Sequence, residues 1–188
     1  WWREALGEVF GGKPVRAHPV LAALAQAQRE TPFDHATLEA LIDARGKDFD
    51  AAPFATAAEI DAYLDATAGS VMRLAVQACG ADSASERFVA PAARAWGYAG
   101  LLRAAAHWRA KGRTVLPRNN ADPHAMLAHA RAAYEEARVS SPPSALFAAT
   151  GYVALTPLYL RALERGENEA GLFNRQLKLV AASAMARL

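Results

Sequence analysis

Two aspartates in the segment DAYLD are the first residues whose type and spacing point to chemistry. Asp61 and Asp65 are four residues apart, so a helix would present both carboxylates on one face, as magnesium-binding acid pairs require. The buried stripe predicted for this helix runs through Ile60 and Leu64, and each aspartate lies one position beyond it. We therefore expect both carboxylates on the solvated edge of the helix and predict no metal site from them.

A second group of charges occupies the segment DARGKDFD at a predicted helix end. Its charged residues are Asp43, Arg45, Lys47, Asp48 and Asp50. Such a group can close over a cleft as a polar rim. Surface ion pairs are common and individually weak, so we favour mutual pairing in solvent.

A basic stretch, GYAGLLRAAAHWRAKGRTVLP at residues 97–117, contains no carboxylate. Arg103 and His107 are four residues apart and share one helix face, and Arg113 follows in the predicted loop. Cations without acids to balance them attract anions, such as a lipid phosphate or an acidic partner surface. The stretch therefore indicates anion binding.

Other site chemistry finds little support in the sequence. His124 and His129 are five residues apart, which places them on different faces of a helix and argues against zinc. Nucleophile motifs and glycine-rich phosphate loops are absent from the sequence. The single Cys79 excludes an internal disulfide and favours a reducing, cytoplasmic setting.

Helices must position these residues, because helical periodicity occurs throughout and no alternating strand pattern competes with it. Thr56 and Glu59 have the spacing of a capping box, and Gly80 supplies the stop of the helix that they begin. The next long helix is predicted over about residues 85–109. The fold class is therefore all-α.

Small residues recur on the two long helices. They suggest a cavity between the helix of Tyr63 and Gly69 and the helix of Gly97, Gly100 and Arg103. Close packing of the two helices explains the same residues equally well. Large side chains at Gly69 and Gly100 would distinguish the two alternatives.

Length and composition bound the remaining possibilities. The chain has 188 residues, 53% of them apolar, which predicts one domain with a sizeable core. A net charge of +2 is too even for a dedicated nucleic-acid binder. The uncharged segment Val139–Leu160 contains prolines, a glycine and polar residues, so we predict a buried core helix there rather than a membrane span.

The stretch 97–117 resembles the second signature of the squalene and phytoene synthase family, a helix of the form N-x-L-R-D-x-x-x-D that continues into a G-R-x-x-x-P loop. With Gly112, Arg113 and Pro117 aligned, Leu102 and Arg103 match the family's Leu-Arg. The family's two aspartates, which hold magnesium ions on a prenyl diphosphate, fall on Ala104 and Trp108. The resemblance thus implies a diphosphate site without its metal ligands.

Further segments extend the resemblance over most of the chain. WWREALGEVFGGKPVRAHPV is similar to the family's W-R-x-x-L opening and H-P-V helix start, and AYLDATAGSV to its cavity-lining helix. The resemblance implies an isoprenoid synthase-like helical bundle around a central cavity. It also implies that residues 1–188 form one domain that lacks the family's N-terminal helices and first aspartate motif.

The resemblance leaves two functional classes. One is a pseudoenzyme, similar to the family's non-catalytic assembly factors of mitochondrial respiratory complex I, that binds an isoprenoid, another lipid or an assembly partner and makes peripheral contact with the inner membrane. It would need no cofactor. The alternative is a divergent prenyltransferase that uses magnesium. By this alignment Arg103 and Arg113 form an anion-binding pair at the cavity mouth, with His107 as a third donor.

Overall fold

A computed structural model of the chain describes residues 1–50, 52–80, 85–140 and 144–185, and these ranges contain helices and loops but no strand. The predicted all-α class is confirmed. Within these ranges the α-helices are α1 (Trp2–Phe10), α2 (Pro19–Glu30), α3 (His35–Arg45), α4 (Ala57–Leu64), α5 (Ser70–Ala78), α6 (Glu86–Ala110), α7 (Pro123–Ser140), α8 (Phe147–Thr150), α9 (Thr156–Glu164) and α10 (Leu172–Met185).

Short segments of other helical types connect several of these elements. A 3₁₀ turn, Gly46–Phe49, continues α3, and a π-helical turn, Asp65–Gly69, joins α4 to α5. Two more 3₁₀ segments, Ser144–Leu146 and Gly151–Leu155, flank α8. The π turn packs against α6.

The helix that begins after Thr56 forms where the sequence predicts it. The Thr56 hydroxyl accepts a hydrogen bond from the Glu59 amide at 3.2 Å. The Glu59 carboxylate accepts from the amide of Ala55 at 2.7 Å, one residue earlier than a capping box requires. Gly80 has φ of +78°, the left-handed conformation that glycine adopts at little cost.

The long helix α6 is the central element of the core. It runs through Pro91 and packs along α7, and each of the two helices buries alanines at spacings of three and four residues. These alanines are Ala92, Ala95 and Ala99 on α6 and Ala130, Ala133 and Ala137 on α7. Small side chains let the two helices approach closely, while Phe88, Tyr98 and Leu102 fill the surrounding space.

The apolar segment near residue 150 lies mostly inside the fold. Ser144–Glu164 is long and apolar enough to cross a membrane by length and composition, and 61% of its most apolar window is buried. Val153, Ala154 and Leu160 are among its buried side chains. This burial favours the predicted core role. Val139, the start of the predicted segment, instead belongs to α7 and is exposed.

Helix α10 covers one side of this segment but leaves apolar side chains outside. Leu179 packs on the core and Ala182 is buried. Phe173, Leu177 and Val180, spaced four and three residues apart, are exposed, Phe173 by 73%. We call these three residues the α10 stripe.

Candidate functional site

A cavity of about 450 Å³ lies between α6 and the α4–α5 segment, and the 3₁₀ turn after α3 contributes to one end of it. This volume falls within the range of pockets that hold small ligands, about 300–1,000 Å³. The residues that line it on the helices are Tyr63, Leu64, Thr67, Ala68, Val71, Trp96, Gly97, Gly100, Leu101, Ala104 and Trp108.

Helix α6 forms one long wall of the cavity. Trp96, Gly100, Ala104 and Trp108 are four residues apart, so they lie on successive turns of one face. At 1.5 Å per residue this face extends over about 18 Å. The wall is apolar for most of this length and offers a long, narrow contact surface.

The facing wall comes from α4, the π turn and α5. Tyr63, Thr67 and Val71 line it, again at intervals of four residues. The Thr67 hydroxyl donates to the carbonyl oxygen of Tyr63 at 2.7 Å, so its polarity is satisfied within the helix. Apart from the polar end at Tyr63, the two walls therefore present a predominantly apolar surface.

The glycines of the two walls have different roles. A Cβ on Gly100 would meet nothing within 4 Å, because this residue faces open space, whereas a Cβ on Gly97 would lie 2.6 Å from Leu64 Cδ2. Gly69 is buried and does not line the cavity, and a Cβ there would lie 2.9 Å from Arg73 Nη1. The expectation that Gly69 borders the cavity is therefore corrected, because this face of the turn is covered by Arg73.

The end of the cavity near Tyr63 is polar. The Tyr63 hydroxyl donates to Asp48 Oδ1 at 2.6 Å, and Arg45 donates to Asp48 Oδ2 at 3.1 Å and to the Tyr63 oxygen at 3.2 Å. Burial, followed by the bond to Asp48, raises the pKa of Tyr63 to about 12. Lys47 pairs with Asp50 at 2.9 Å and lies over the Phe54 ring. The charges of this segment thus pair with one another, as the sequence favoured, and they also form a polar rim of the cavity.

Arg113 ties this rim to α6. Its guanidinium donates to the carbonyl oxygens of Asp48, at 2.7 Å, and of Asp50. It also stacks over the indole of Trp108, 4.5 Å from the ring centroid. Arg113 therefore lines the polar end of the cavity, and its hydrogen bonds there go to the backbone.

Arg103 lies away from the cavity. It donates to the carbonyl oxygen of Asn168 at 3.0 Å, pairs with Glu169 and stacks on the Tyr159 ring at 4.1 Å. His107 is exposed, with its ring edge against Trp108. The expected pair of Arg103 and Arg113 at one mouth is corrected: Arg103 faces the loop before α10, because an acid 66 residues further along the chain balances it there.

The two aspartates of DAYLD also differ from expectation. Asp65 accepts two hydrogen bonds from Arg94, at 2.9 and 3.2 Å, and Asp61 accepts one from the Tyr98 hydroxyl at 2.8 Å. Both carboxylates are half-buried against α6 rather than on a solvated edge. Arg94 and Tyr98 are four residues apart, as the aspartates are, and this matched spacing was the available signal for the contact.

The family model of squalene/phytoene synthase matches residues 1–124, which include α1 to α6 and both of the helical walls described above. The chain belongs to the squalene/phytoene synthase family. Its all-α architecture is the isoprenoid synthase-like fold of that family. No curated protein matches the chain.

In this squalene/phytoene synthase family member, Ala104 and Trp108 occupy the positions at which the sequence resemblance places the second signature's acids, and both line the cavity. A methyl group and an indole do not coordinate magnesium, which prefers oxygen ligands. Among the described lining residues Asp48 is the one carboxylate, and Tyr63 and Arg45 already engage it. These residues do not fit a magnesium diphosphate site.

No group of three His, Cys, Asp or Glu side chains with metal-binding geometry occurs in the described ranges.

Proposed function

We propose that this protein is a non-catalytic member of the squalene/phytoene synthase family that holds the apolar chain of an isoprenoid or another lipid along α6. One observation carries the proposal. Ala104 and Trp108 line the cavity at the positions expected for metal-binding acids, on a wall that is otherwise suited to hydrocarbon. Departure of a diphosphate depends on neutralisation of its developing charge, which these side chains do not supply.

Arg113 supports the same proposal. In a diphosphate site an arginine at the mouth would be available to the phosphate oxygens. Here its guanidinium is engaged by two backbone carbonyls and by the Trp108 ring. Trp108, at the position of the family's second acid in the sequence resemblance, thus packs against this arginine.

The direct test is turnover. The protein is incubated with farnesyl or geranylgeranyl diphosphate and magnesium, and the products are separated by chromatography, with an active family enzyme as the positive control. We expect no condensation product. A product that disappears on chelation of magnesium would overturn the proposal and establish the divergent prenyltransferase instead.

We further propose that the protein serves in respiratory-complex assembly, on the cytoplasmic side and in peripheral contact with the inner membrane. The similarity of residues 97–117 to the family's non-catalytic assembly factors supports this role. In the source cell, deletion of the gene should lower the amount of assembled complex I on native gels. Normal assembly in the deletion strain would refute the role while leaving lipid binding untouched.

A further inference from the structure

The polar end of the cavity has a defined charge balance. Among the described residues that line it, Arg45, Lys47 and Arg113 are cationic and Asp48 is anionic. Asp50, which pairs with Lys47, is the other carboxylate of this rim. The rim therefore has one positive charge in excess, and this excess lies at the wall's polar end rather than along its apolar length.

The cations of the rim differ in how free they are to bind a ligand. The Arg113 guanidinium is held between two backbone carbonyls and an indole. Lys47 makes one ion pair, to Asp50, and its side chain keeps 30% of its exposure. Its ammonium group has three donors, so two remain for another acceptor. By the same count Arg113 keeps three of its five donors, but its planar guanidinium is fixed in place, so Lys47, on its flexible stem, is the cation that can turn towards an anionic group in the cavity.

Arg45 has a complementary role. Its side chain is 55% exposed, and it holds Asp48 and Tyr63 together. Because Asp48 accepts from both of these groups, its negative charge is compensated and repels an incoming anion less. Arg45 is therefore a positioning residue for the rim.

We infer that the cavity selects an apolar chain that ends in a singly charged anionic head, a carboxylate or a phosphate diester, and that Lys47 binds that head. The inference rests on the proposed function. One excess positive charge matches one negative charge, whereas a diphosphate carries more charge than this rim balances.

Ligands with the same chain and different heads test this selectivity. Calorimetry below the critical micelle concentration compares oleate, oleoyl lysophosphatidylglycerol and oleyl alcohol. We expect at least one of the two anions to bind about 10-fold or more tighter than the alcohol, because only an anion forms a charge-assisted hydrogen bond with Lys47. The stronger anion identifies the head as a carboxylate or a phosphate diester.

Variants test the role of Lys47. Lys47→Gln should bind the preferred anion about 10-fold more weakly and the alcohol unchanged. Lys47→Arg should keep most of the affinity. Lys178→Gln on α10, a cation outside the cavity lining, is the matched control and should behave as wild type. Unchanged melting temperatures show that each variant is folded.

The possible outcomes distinguish a failure of the head-group inference from a failure of the proposed lipid-binding function. Equal binding of anions and alcohol, or an unchanged anion affinity in Lys47→Gln, would overturn the inference while the lipid-binding function stands. Absence of binding for all three ligands would overturn both. If Lys47→Gln does not fold, Lys47→Met replaces it, because methionine keeps an unbranched apolar side chain beside Phe54 and removes the ammonium group.

Discussion

Gly97 and Gly100 both line the cavity on α6, but substitution by alanine is predicted to affect stability differently at the two positions. A Cβ on Gly100 would meet nothing within 4 Å, whereas a Cβ on Gly97 would meet Leu64 Cδ2 at 2.6 Å and its Cγ at 3.2 Å. Leu64 is buried in the core and packs among Ile60, Tyr98 and Ala99, so it has little room to move. The alanine variants therefore separate helix propensity from packing.

The magnitudes follow from these contacts. Alanine is about 1 kcal/mol better than glycine in a helix interior, so Gly100→Ala should stabilise the protein by about that amount. For a chain of this length such a gain raises the melting temperature by about 2–4 °C. In Gly97→Ala the same gain is opposed by an overpacking cost of about 1–3 kcal/mol, so this variant should be less stable than Gly100→Ala by that cost.

Urea unfolding followed by circular dichroism measures both free energies. A larger variant, Gly100→Phe, extends the test to function: it should fill the cavity, remove lipid binding and leave folding intact. Equal shifts for the two alanine variants would refute the assignment of Gly97 to packing and Gly100 to open space. A folded Gly100→Phe protein that binds lipid with wild-type affinity would contradict the location of the ligand.

Three more predictions follow from the site. The double variant Ala104→Asp and Trp108→Asp should bind magnesium more tightly than the wild type, as measured by calorimetry. It should show no turnover, because the residues that support the ligands of a metal site are missing. An unchanged magnesium affinity would contradict the alignment of these positions. The pKa of Tyr63 is raised from 10.0 to about 12, so the contribution of this residue to stability is complete below pH 10 and declines between pH 10 and pH 12, because the unfolded state loses its proton first. Tyr63→Phe should therefore show a shallower loss of unfolding free energy over that interval. Identical pH profiles of the two proteins would refute the Tyr63–Asp48 contact. Arg103→Gln should lower the free energy of unfolding by about 1 kcal/mol and leave lipid affinity unchanged. A large loss of lipid affinity would indicate that Arg103 takes part in the cavity.

The sequence predicted the helices better than it predicted their partners. The Thr56 cap and the Gly80 stop are local signals, and the helical segment between them begins and ends accordingly, although the sequence did not predict the π turn that divides it. Arg103 depends instead on Glu169, which no periodicity of the stretch 97–117 reveals. The small residues predicted either a cavity or a packing seam with equal weight, and both occur, because Gly97 packs on Leu64 and Gly100 faces open space.

The charged residues show the same limit. Asp61 and Asp65 lie beside the buried stripe, where a carboxylate is solvated unless another helix supplies a donor. Here α6 supplies Arg94 and Tyr98. The sequence predicted ion pairing within the charged segment at the end of α3. The position of this segment at the cavity depends on the hydrogen bonds from Arg113 to two backbone carbonyls. Every residue has a backbone carbonyl, so the sequence does not show which of them accept a hydrogen bond from a side chain.

The most direct test of the account is the location of a bound lipid. Oleate is titrated into isotopically labelled protein, and amide and methyl resonances are followed by NMR. We expect shifts along α6 at Gly100, Ala104 and Trp108, together with Val71 on the facing wall, and intermolecular contacts from the oleate chain to these residues. Shifts confined to the α10 stripe of Phe173, Leu177 and Val180, with none at Gly100 or Ala104, would contradict it, because the lipid would then bind an exposed apolar surface rather than the cavity.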